Sequence, residues 1–373
     1  MLKPVYVSYS SYTRYKECSE KYFLSKEYES IYIPAQFPYG NAIEDAVEAM
    51  FLGKTLQEAL HIFESHWLNE PQKDGTSRPV LGNPMVEFLH GDFDEYLITP
   101  EIELKYDLPE NFVEMMDVLT EEVKAKIPII AEEQEMFDRI LWVCCLERGK
   151  MLLKAFHDEL LPDLEIYKRG DKLYVQTEIA ISNEEGDKII GFADFVVWHK
   201  KLKKLIIIDL KTSKEEYKIE QLIESDQLKT YVAALNSDLD TINAGYVVLI
   251  KKLTKIKECE VCKQPPKNKM SKKCQQCNKG SFIVSGLEGR VQFIHQEFPI
   301  EQLEDKLNDY AVTVQDIKHG VREKNDKACY SYGRKCEFFD HCWAGKALNE
   351  IEDIKPKVRK SLTEDTAPGK VKQ

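Results

Sequence analysis

The chain has 373 residues, enough for one large domain or for two or three smaller ones. Its 43% apolar content is typical of a globular protein, and 64 acidic against 52 basic residues give a net charge of −12. This charge argues against a passive nucleic-acid coat protein, although an enzyme with a local basic track is compatible with it.

Targeting signals are absent from the pattern of the sequence. Residues 1–18 lack a charged start followed by an apolar core, and no stretch approaches the roughly 18 apolar residues of a membrane span. We therefore expect a cytoplasmic protein without a membrane anchor. In that compartment, ten cysteines favour metal ligation over disulfide formation.

Helical patterns dominate the first half of the sequence. Residues 8–28 begin with serines that can cap a helix, and their aromatic residues recur near helical spacing. A second helix is expected after Gly40, where Ile43, Val47 and Met50 form an apolar stripe. The pattern stays mostly helical from about residue 55 to 165, which we interpret as a helical insertion.

Strand patterns begin at Lys172. Short runs rich in β-branched and aromatic residues predict strands at 172–181, 191–198, 204–211, 244–250 and 290–298. Helices are predicted at 219–235 and at about 300–322, so we expect a mixed sheet with helical packing. The tail from Lys355 lacks apolar periodicity, and we expect it to be disordered.

Two of these strands create a candidate metal site. If residues 192–198 and 205–211 pair as a hairpin centred between Lys201 and Leu202, Asp194 lies opposite Asp209. Like charges in that position destabilise a sheet, and burial penalises ionised carboxylates, unless a cation compensates. Lys211 projects from the same face as Asp209. The alternative is a solvated face on which Lys211 only balances the charge, and a one-residue slip would break the pairing.

The order of GFADFVV, IIIDLKT and QLKTYVAAL resembles the PD-(D/E)XK nuclease superfamily, in particular its RecB-like branch of AddB-type helicase-nucleases and CRISPR-associated adaptation nucleases. The resemblance implies an α/β, restriction-endonuclease-like core with a mixed central sheet flanked by helices. It also implies a catalytic set that binds magnesium or manganese, water and phosphate: Asp194, Asp209, the Leu210 carbonyl, Lys211, Gln227 and Tyr231. Outside this family context, Gln227 and Tyr231 would be ordinary surface or core-edge residues, although they share a helix face.

The resemblance extends to the N-terminal region. SYSSYTRYKECSEKYFL looks like the family's opening motif, and GNAIEDAVEAMF looks like its G-x3-H helix with Glu44 in place of the histidine. In lambda-exonuclease-like branches a helix glutamate is a metal ligand, and a carboxylate suits magnesium or manganese. The alternative for Glu44 is a solvated helix-face charge. Glu178 either supports the same site or occupies an exposed strand position.

Four cysteines predict a zinc ribbon within 256–284. Cys259, Cys262, Cys274 and Cys277 have the spacing C-x2-C-x11-C-x2-C, and bound zinc would supply the folding energy of so short a segment. Ten lysines and two acidic residues lie between Lys251 and Lys279. The ribbon is therefore a candidate contact for DNA phosphates. A solubilising surface or a protein-docking knob is the alternative.

A second cysteine set comprises Cys329, Cys336 and Cys342, which supply only three thiolates. His341 would complete a second zinc site, whereas Cys18 would complete a four-thiolate iron-sulfur site. Resemblance to iron-sulfur members of the RecB-like nucleases implies the latter, a 4Fe-4S cluster that joins the chain's ends. The C-x6-C interval is wider than is common in that family, which keeps zinc open.

Cys144 and Cys145 are expected to be packing residues of an apolar helix.

These expectations define a domain organisation and a function. The segments are 1–50, N-terminal helices of the nuclease core; 51–168, helical insertion; 169–255, catalytic core; 256–284, zinc ribbon; 285–346, core completion and iron-sulfur segment; and 347–373, disordered tail. We expect a DNA exonuclease or end-processing nuclease of replication, recombination or repair, of phage or bacterial source.

Two alternatives to this function remain. One is a non-catalytic DNA-binding recombination accessory protein that retains the fold, and the other is an RNA-directed nuclease. The sequence contains no G-x4-GK[ST] phosphate loop, so a helicase partner would be a separate chain.

Overall fold

The computed structural model describes residues 5–31, 36–68, 97–106, 108–109, 111–115, 117–118, 131–183, 185–267, 273–333 and 335–357. These fall into two compact units. The terminal unit contains the described residues of 1–33, 182–189 and 310–373, and the sheet unit contains those of 34–181 and 190–309. No helix in the described ranges combines the length and apolar character that crossing a membrane requires.

The helices and strands follow one another in this order: β1 Tyr6–Ser8, α1 Tyr9–Glu17, α2 Ser19–Glu27, β2 Tyr28–Ser30, α3 Gln36–Phe51, α4 Leu56–Leu68, α5 Pro100–Tyr106, α6 Ala131–Ala155, β3 Leu164–Ile166, β4 Lys168–Arg169, β5 Lys172–Leu173, β6 Val175–Ser182, β7 Lys188–His199, β8 Lys204–Ser213, α7 Ile219–Ile223, α8 Asp226–Leu239, β9 Asn243–Cys259, β10 Phe282–Glu297, α9 Ile300–Lys318, α10 Phe339–Ala344 and β11 Ile354–Pro356.

A mixed sheet organises the sheet unit. Its strands lie in the order β7-β8-β9-β10, with β3 and β6 also paired to β7. The β7–β8 and β9–β10 pairs are antiparallel, whereas β8 and β9 are parallel. The sequence pattern explains this arrangement, since the runs VVLI and LIII are apolar at consecutive positions, as expected for strands covered on both faces.

Alternate residues of the strands face two different cores. One core joins Ile208, Val247 and Phe195 to helices α3, α4 and α6, through side chains such as Val47 and Trp67. The other core lies on the opposite face, where α8 packs against the strands. Its members include Ile207, Tyr231, Val232, Tyr246 and Val248. Helices of the expected insertion thus share a core with the sheet.

Two of the differences between the observed and the expected helix boundaries lie in the N-terminal part of the chain. The second helix, α3, already includes Pro38 and Gly40, because a proline in the first turn of a helix loses no intrahelical hydrogen bond. The expected helix at 8–28 is two helices that meet at Cys18, whose backbone is extended. Cys18 accepts a hydrogen bond from the Lys21 amide at 3.5 Å and so caps α2.

The C-terminal segment corrects the expectation of a disordered tail from residue 347. Strand β11 pairs antiparallel with β2, placing Ile354 opposite Ser30. Ile351 and Ile354 are buried against Leu24 and Phe338, so four apolar side chains and a short ladder hold the segment in the terminal unit. Isolated apolar residues gave no periodicity from which this could be predicted. Residues 358–373 of the expected tail lie outside the described residues.

Candidate active site

Strands β7 and β8 pair in the predicted register. Phe195 lies opposite Ile208 and His199 opposite Lys204, and the next pair in this register is Asp194 with Asp209. The carboxylate of Asp194 accepts a hydrogen bond from the Leu210 amide at 2.7 Å. The hairpin therefore brings the two aspartates together. The Leu210 side chain is in the core, and a role for its carbonyl stays a prediction.

Asp209 is at the centre of the site and is only 1% exposed. The Lys211 ammonium lies 2.5 Å from its Oδ2, and the Tyr231 hydroxyl donates to its Oδ1 at 3.3 Å. Burial alone would lower the pKa of Lys211, but the charges of Asp209 and Asp194 outweigh it and raise this pKa above its usual value. Lys211 is therefore a fixed positive charge next to the buried carboxylate.

Helix α3 brings Glu44 to the same place. Burial raises the pKa of Glu44 to about 7, and the charge of Asp209 contributes to the rise. Burial raises the pKa of Asp194 well above its usual value, followed by the charges of Asp209 and Glu44. The three carboxylates thus repel one another in a region that water solvates poorly.

This donor set fits a magnesium or manganese ion. Hard divalent cations bind carboxylate oxygens, and a cation would remove the repulsion that raises these pKa values. Four cysteines of the described residues, at positions 259, 262, 274 and 277, have Sγ atoms that all lie within 4.8 Å of one another. The oxygens of the three carboxylates do not converge as tightly as these sulfurs. Instead, Oδ2 of Asp209 is directed to Lys211.

Helix α8 supplies Gln227 and Tyr231 as one connected pair. Gln227 Nε2 donates to the Tyr231 hydroxyl at 2.7 Å, and that hydroxyl donates to Asp209. Burial, followed by the charges of Asp209 and Asp194, raises the pKa of Tyr231, so its proton stays available for donation. Both residues lie in the site, where they orient Asp209. Their predicted phosphate contact stays a prediction.

A family model of the PD-(D/E)XK nuclease superfamily matches residues 6–342. The chain belongs to the PD-(D/E)XK nuclease superfamily. No curated protein matches the sequence closely enough to add a relative. Membership confirms the α/β fold with its mixed, helix-flanked sheet. Members of this superfamily are generally nucleases that use divalent metals, so phosphodiester hydrolysis and a nucleic-acid substrate follow at this coarse level.

Gln176 is a site residue that the sequence did not reveal. Its Nε2 donates to Glu44 Oε1, and its backbone has φ +44°, in the left-handed region. A non-glycine residue held there costs on the order of 1 kcal/mol, and such residues cluster at functional sites. A glutamine in an alternating strand is unremarkable in sequence, so no signal could have found it. The nearby Glu178, by contrast, is exposed.

The four cysteines of the predicted zinc ribbon lie close together, as predicted. The Sγ atoms of Cys259 and Cys277 are 3.6 Å apart, those of Cys262 and Cys274 are 3.5 Å apart, and all four lie within 4.8 Å of one another. The Lys279 backbone N–H lowers the pKa of Cys277 to about 6, which favours the thiolate. A Cβ on Gly280 would lie 2.6 Å from Cys259 Sγ, so glycine is required beside the sulfurs. This arrangement fits a tetrahedral zinc ion.

The second cysteine set lies within the terminal unit. The Cys336 amide donates to the Cys329 carbonyl at 2.7 Å, and Trp343 Nε1 donates to Cys329 Sγ at 3.3 Å. Burial raises the pKa of Cys342, and the nearby thiols of Cys18 and Cys329 add to the rise. Cys18 and the C-terminal cysteines are thus neighbours, as the iron-sulfur hypothesis requires. They do not form a group as compact as the ribbon cysteines among the described residues.

Three further candidate residues are His341, Cys144 and Cys145. The Nδ1 atom of His341, the alternative zinc ligand, lies 3.0 Å from the Lys346 carbonyl. Cys144 and Cys145 are both 0% exposed in the core of the sheet unit, as expected of packing residues.

Proposed function

We propose that the protein is a divalent-metal-dependent DNA nuclease of the RecB-like branch, acting as an exonuclease or end-processing enzyme in replication, recombination or repair. The observation that carries the proposal is the buried Asp209, crowded by Asp194 and Glu44 and bound by Lys211. A structural salt bridge needs one carboxylate for one ammonium. A buried carboxylate crowded by two half-buried ones has a use when a cation and a phosphate join them.

The chemistry follows from the residues. Glu44, Asp194 and Asp209 would hold a magnesium or manganese ion, which would supply positive charge to the phosphodiester that is cleaved. Lys211 stays protonated and directs its ammonium toward the reacting phosphate or the attacking water. Gln227 and Tyr231 fix the orientation of Asp209 through their hydrogen-bonded chain. No covalent intermediate with the protein is needed.

Digestion of end-labelled single- and double-stranded DNA, with magnesium or manganese, tests this function. We expect cleavage by the wild-type protein, loss of cleavage in Asp209→Ala, and full cleavage in Glu178→Gln, which removes an exposed charge from the same sheet. Equal inactivity of the wild type and Asp209→Ala on every DNA form would favour the accessory protein. Competition with unlabelled RNA separates a DNA nuclease from an RNA-directed one.

We also propose that Cys18, Cys329, Cys336 and Cys342 hold a 4Fe-4S cluster and that the ribbon holds one structural zinc. The support is that Cys342 lies within electrostatic reach of Cys18 and Cys329, in an arrangement wider than the ribbon's. A four-iron cluster separates its thiolates more than a single ion does. The visible spectrum and metal content of anaerobically purified protein test this. Brown colour that Cys18→Ser abolishes supports the cluster, whereas a colourless protein with two zinc ions per chain overturns it.

A further inference from the structure

The β9–β10 hairpin extends beyond the rest of the sheet. Strand β8 pairs with β9 only as far as Ile250, whereas β9 continues to Cys259, opposite Phe282 of β10. We call the described residues of this extension, 251–267 and 273–288, the basic arm; they include the ribbon cysteines. At about 3.3 Å per residue, its two strands carry the ribbon about 30 Å past the end of β8.

The base of the basic arm is fixed by helix α6. A Cβ on Gly289 would lie 2.2 Å from the Met151 carbonyl oxygen, so the helix backbone approaches β10 closely at this glycine. The strand pairing is irregular there, between Glu288 and Arg290. Leu253 and Leu287 pack against the core that contains α6. The direction of the arm is therefore set by packing.

The charge of the basic arm contrasts with that of the whole chain. Its described residues include eight lysines and three glutamates, in a chain of net charge −12. Two of the glutamates have local partners, since Glu258 pairs with Lys263 at 3.0 Å and Glu260 accepts from the Ser281 amide at 3.0 Å. The local excess is thus a cationic surface that suits a polyanion.

The basic arm begins at the end of the sheet that carries Lys211. Lys211 is next to Val248 in the parallel register of β8 and β9, so β9 continues past β8 in the direction that runs from Asp209 to Lys211. Lys252, Lys255 and Lys257 are exposed on β9 beyond Ile250, the last residue that pairs with β8. A nucleic-acid backbone that leaves Lys211 along β9 therefore meets the arm.

We propose that the basic arm binds the phosphate backbone of the nucleic-acid substrate beyond the cleaved phosphate, with the ribbon fixing the tip of the arm. This inference rests on the proposed nuclease function. The partner is the sugar-phosphate backbone, because point charges on lysines read charge and not base identity. The arm accordingly contributes affinity and register, and leaves the chemistry to the residues around Asp209.

Salt-dependent DNA binding tests the arm. The variant Lys252→Gln, Lys255→Gln, Lys257→Gln is compared with Lys200→Gln, Lys201→Gln, Lys203→Gln, which removes the same charge from the exposed turn at the other end of β8. Each lost phosphate contact lowers the slope of log affinity against log salt by about 0.9 on duplex DNA. We expect a decrease of about 2 to 3 for the arm variant and a decrease below about 1 for the turn variant.

Binding and cleavage then separate the two proposals. We expect the arm variant to raise KM while kcat and thermal stability stay unchanged. If the arm variant binds and cleaves DNA like the turn variant, the proposal for the arm is wrong and the proposed nuclease function is unaffected. The lysines would then serve solubility or a protein partner. If the wild type binds DNA through the arm lysines but does not cleave it, the proposal for the arm is supported and the proposed nuclease function is wrong.

A different observation assigns a role to Gln176. Its backbone lies in the left-handed region at φ +44°, and its amide donates to Glu44. The following residue, Thr177, is 4% exposed, so the distortion occurs where the strand enters the core. We propose that Gln176 is a positioning residue that holds the Glu44 carboxylate toward Asp194 and Asp209 for metal binding. This also rests on the proposed function.

Glycine substitution separates positioning from a structural role. Gln176→Gly keeps the left-handed backbone conformation accessible and removes the side-chain amide that donates to Glu44. We expect it to weaken Mn²⁺ affinity about 10- to 100-fold, as loss of a hydrogen bond to a metal ligand typically does, while metal-free thermal stability is unchanged or higher. Glu178→Gln, two residues along, should leave both quantities unchanged. Calorimetry of Mn²⁺ binding measures the affinity without requiring activity. A Gln176→Gly protein with wild-type Mn²⁺ affinity overturns the proposal.

Discussion

Carboxylates in two regions of this protein behave in opposite ways. In the terminal unit, Asp187 is 2% exposed; burial would raise its pKa, but hydrogen bonds from Asn183 and Val5 and the Lys318 ammonium lower it. In the sheet unit, burial and neighbouring carboxylates raise the pKa values of the half-buried Asp194 and Glu44. Burial favours a higher pKa in both regions. The number of donors per carboxylate differs, and a shortage of donors indicates a place for a cation.

The largest effect is expected at Asp194. Asp194→Asn removes a proposed metal ligand and should lower the cleavage rate about 1000-fold, equivalent to about 4 kcal/mol in the activation barrier. It also removes a repelling charge, so we expect metal-free stability toward urea to be unchanged or higher. Rates on end-labelled DNA and urea titrations in EDTA measure the two effects. A strongly destabilised variant would contradict the view that this carboxylate lacks donors.

Metal binding should stabilise the sheet unit. At a Mn²⁺ concentration about 100 times the dissociation constant, the wild type should gain about 2.7 kcal/mol of unfolding free energy. Asp194→Asn should lose most of this gain, because its site lacks one carboxylate. Urea titrations with and without Mn²⁺ measure the gain. Equal gains in the wild type and the variant would place the ion elsewhere.

Asp187→Asn should have the converse phenotype. The substitution weakens the acceptor of the Val5 amide, at 2.8 Å, and removes the charge that faces Lys318, so we expect a loss of about 2 kcal/mol in unfolding free energy. Mn²⁺ affinity should stay at the wild-type value. Urea titration measures the stability and calorimetry measures the Mn²⁺ affinity. Unchanged stability would contradict the contrast between Asp187 and the carboxylates of the candidate site.

The smallest effect concerns pH. Because the pKa of folded Asp187 lies below its unfolded value of about 3.9, its contribution is fully present above that value and is lost as the pH falls through the folded pKa. The stability difference between the wild type and Asp187→Asn should therefore be constant from pH 7 to about pH 5 and shrink below about pH 4. Urea titrations across this range measure it. A difference that grew in acid would show that the sign is wrong.

The sequence predicted the hairpin well for a physical reason. Strand alternation and a short turn leave few registers for β7 and β8, so the opposition of Asp194 and Asp209 follows from the sequence pattern. The convergence of the ribbon cysteines was equally predictable, since two C-x2-C pairs have the spacing that suits a tetrahedral ion.

Other features depend on long-range packing and could not be read in the same way. The left-handed backbone of Gln176, the pairing of β11 with β2 and the break at Cys18 each result from contacts between distant segments. The strands that flank the ribbon are also longer than predicted. Lysines interrupt the alternation of apolar and polar residues in β9, so its second half was not predicted as a strand.

The closed pairing of Cys259 with Phe282 has a consequence for engineering. Everything between these two residues enters and leaves the fold at one point, where the strands are already side by side. Exchanging the ribbon for another small domain with adjacent termini would cost little loop-closure entropy and would leave the register around Asp209 unchanged. The tip of the hairpin is therefore a suitable site for inserting a different small domain into this fold.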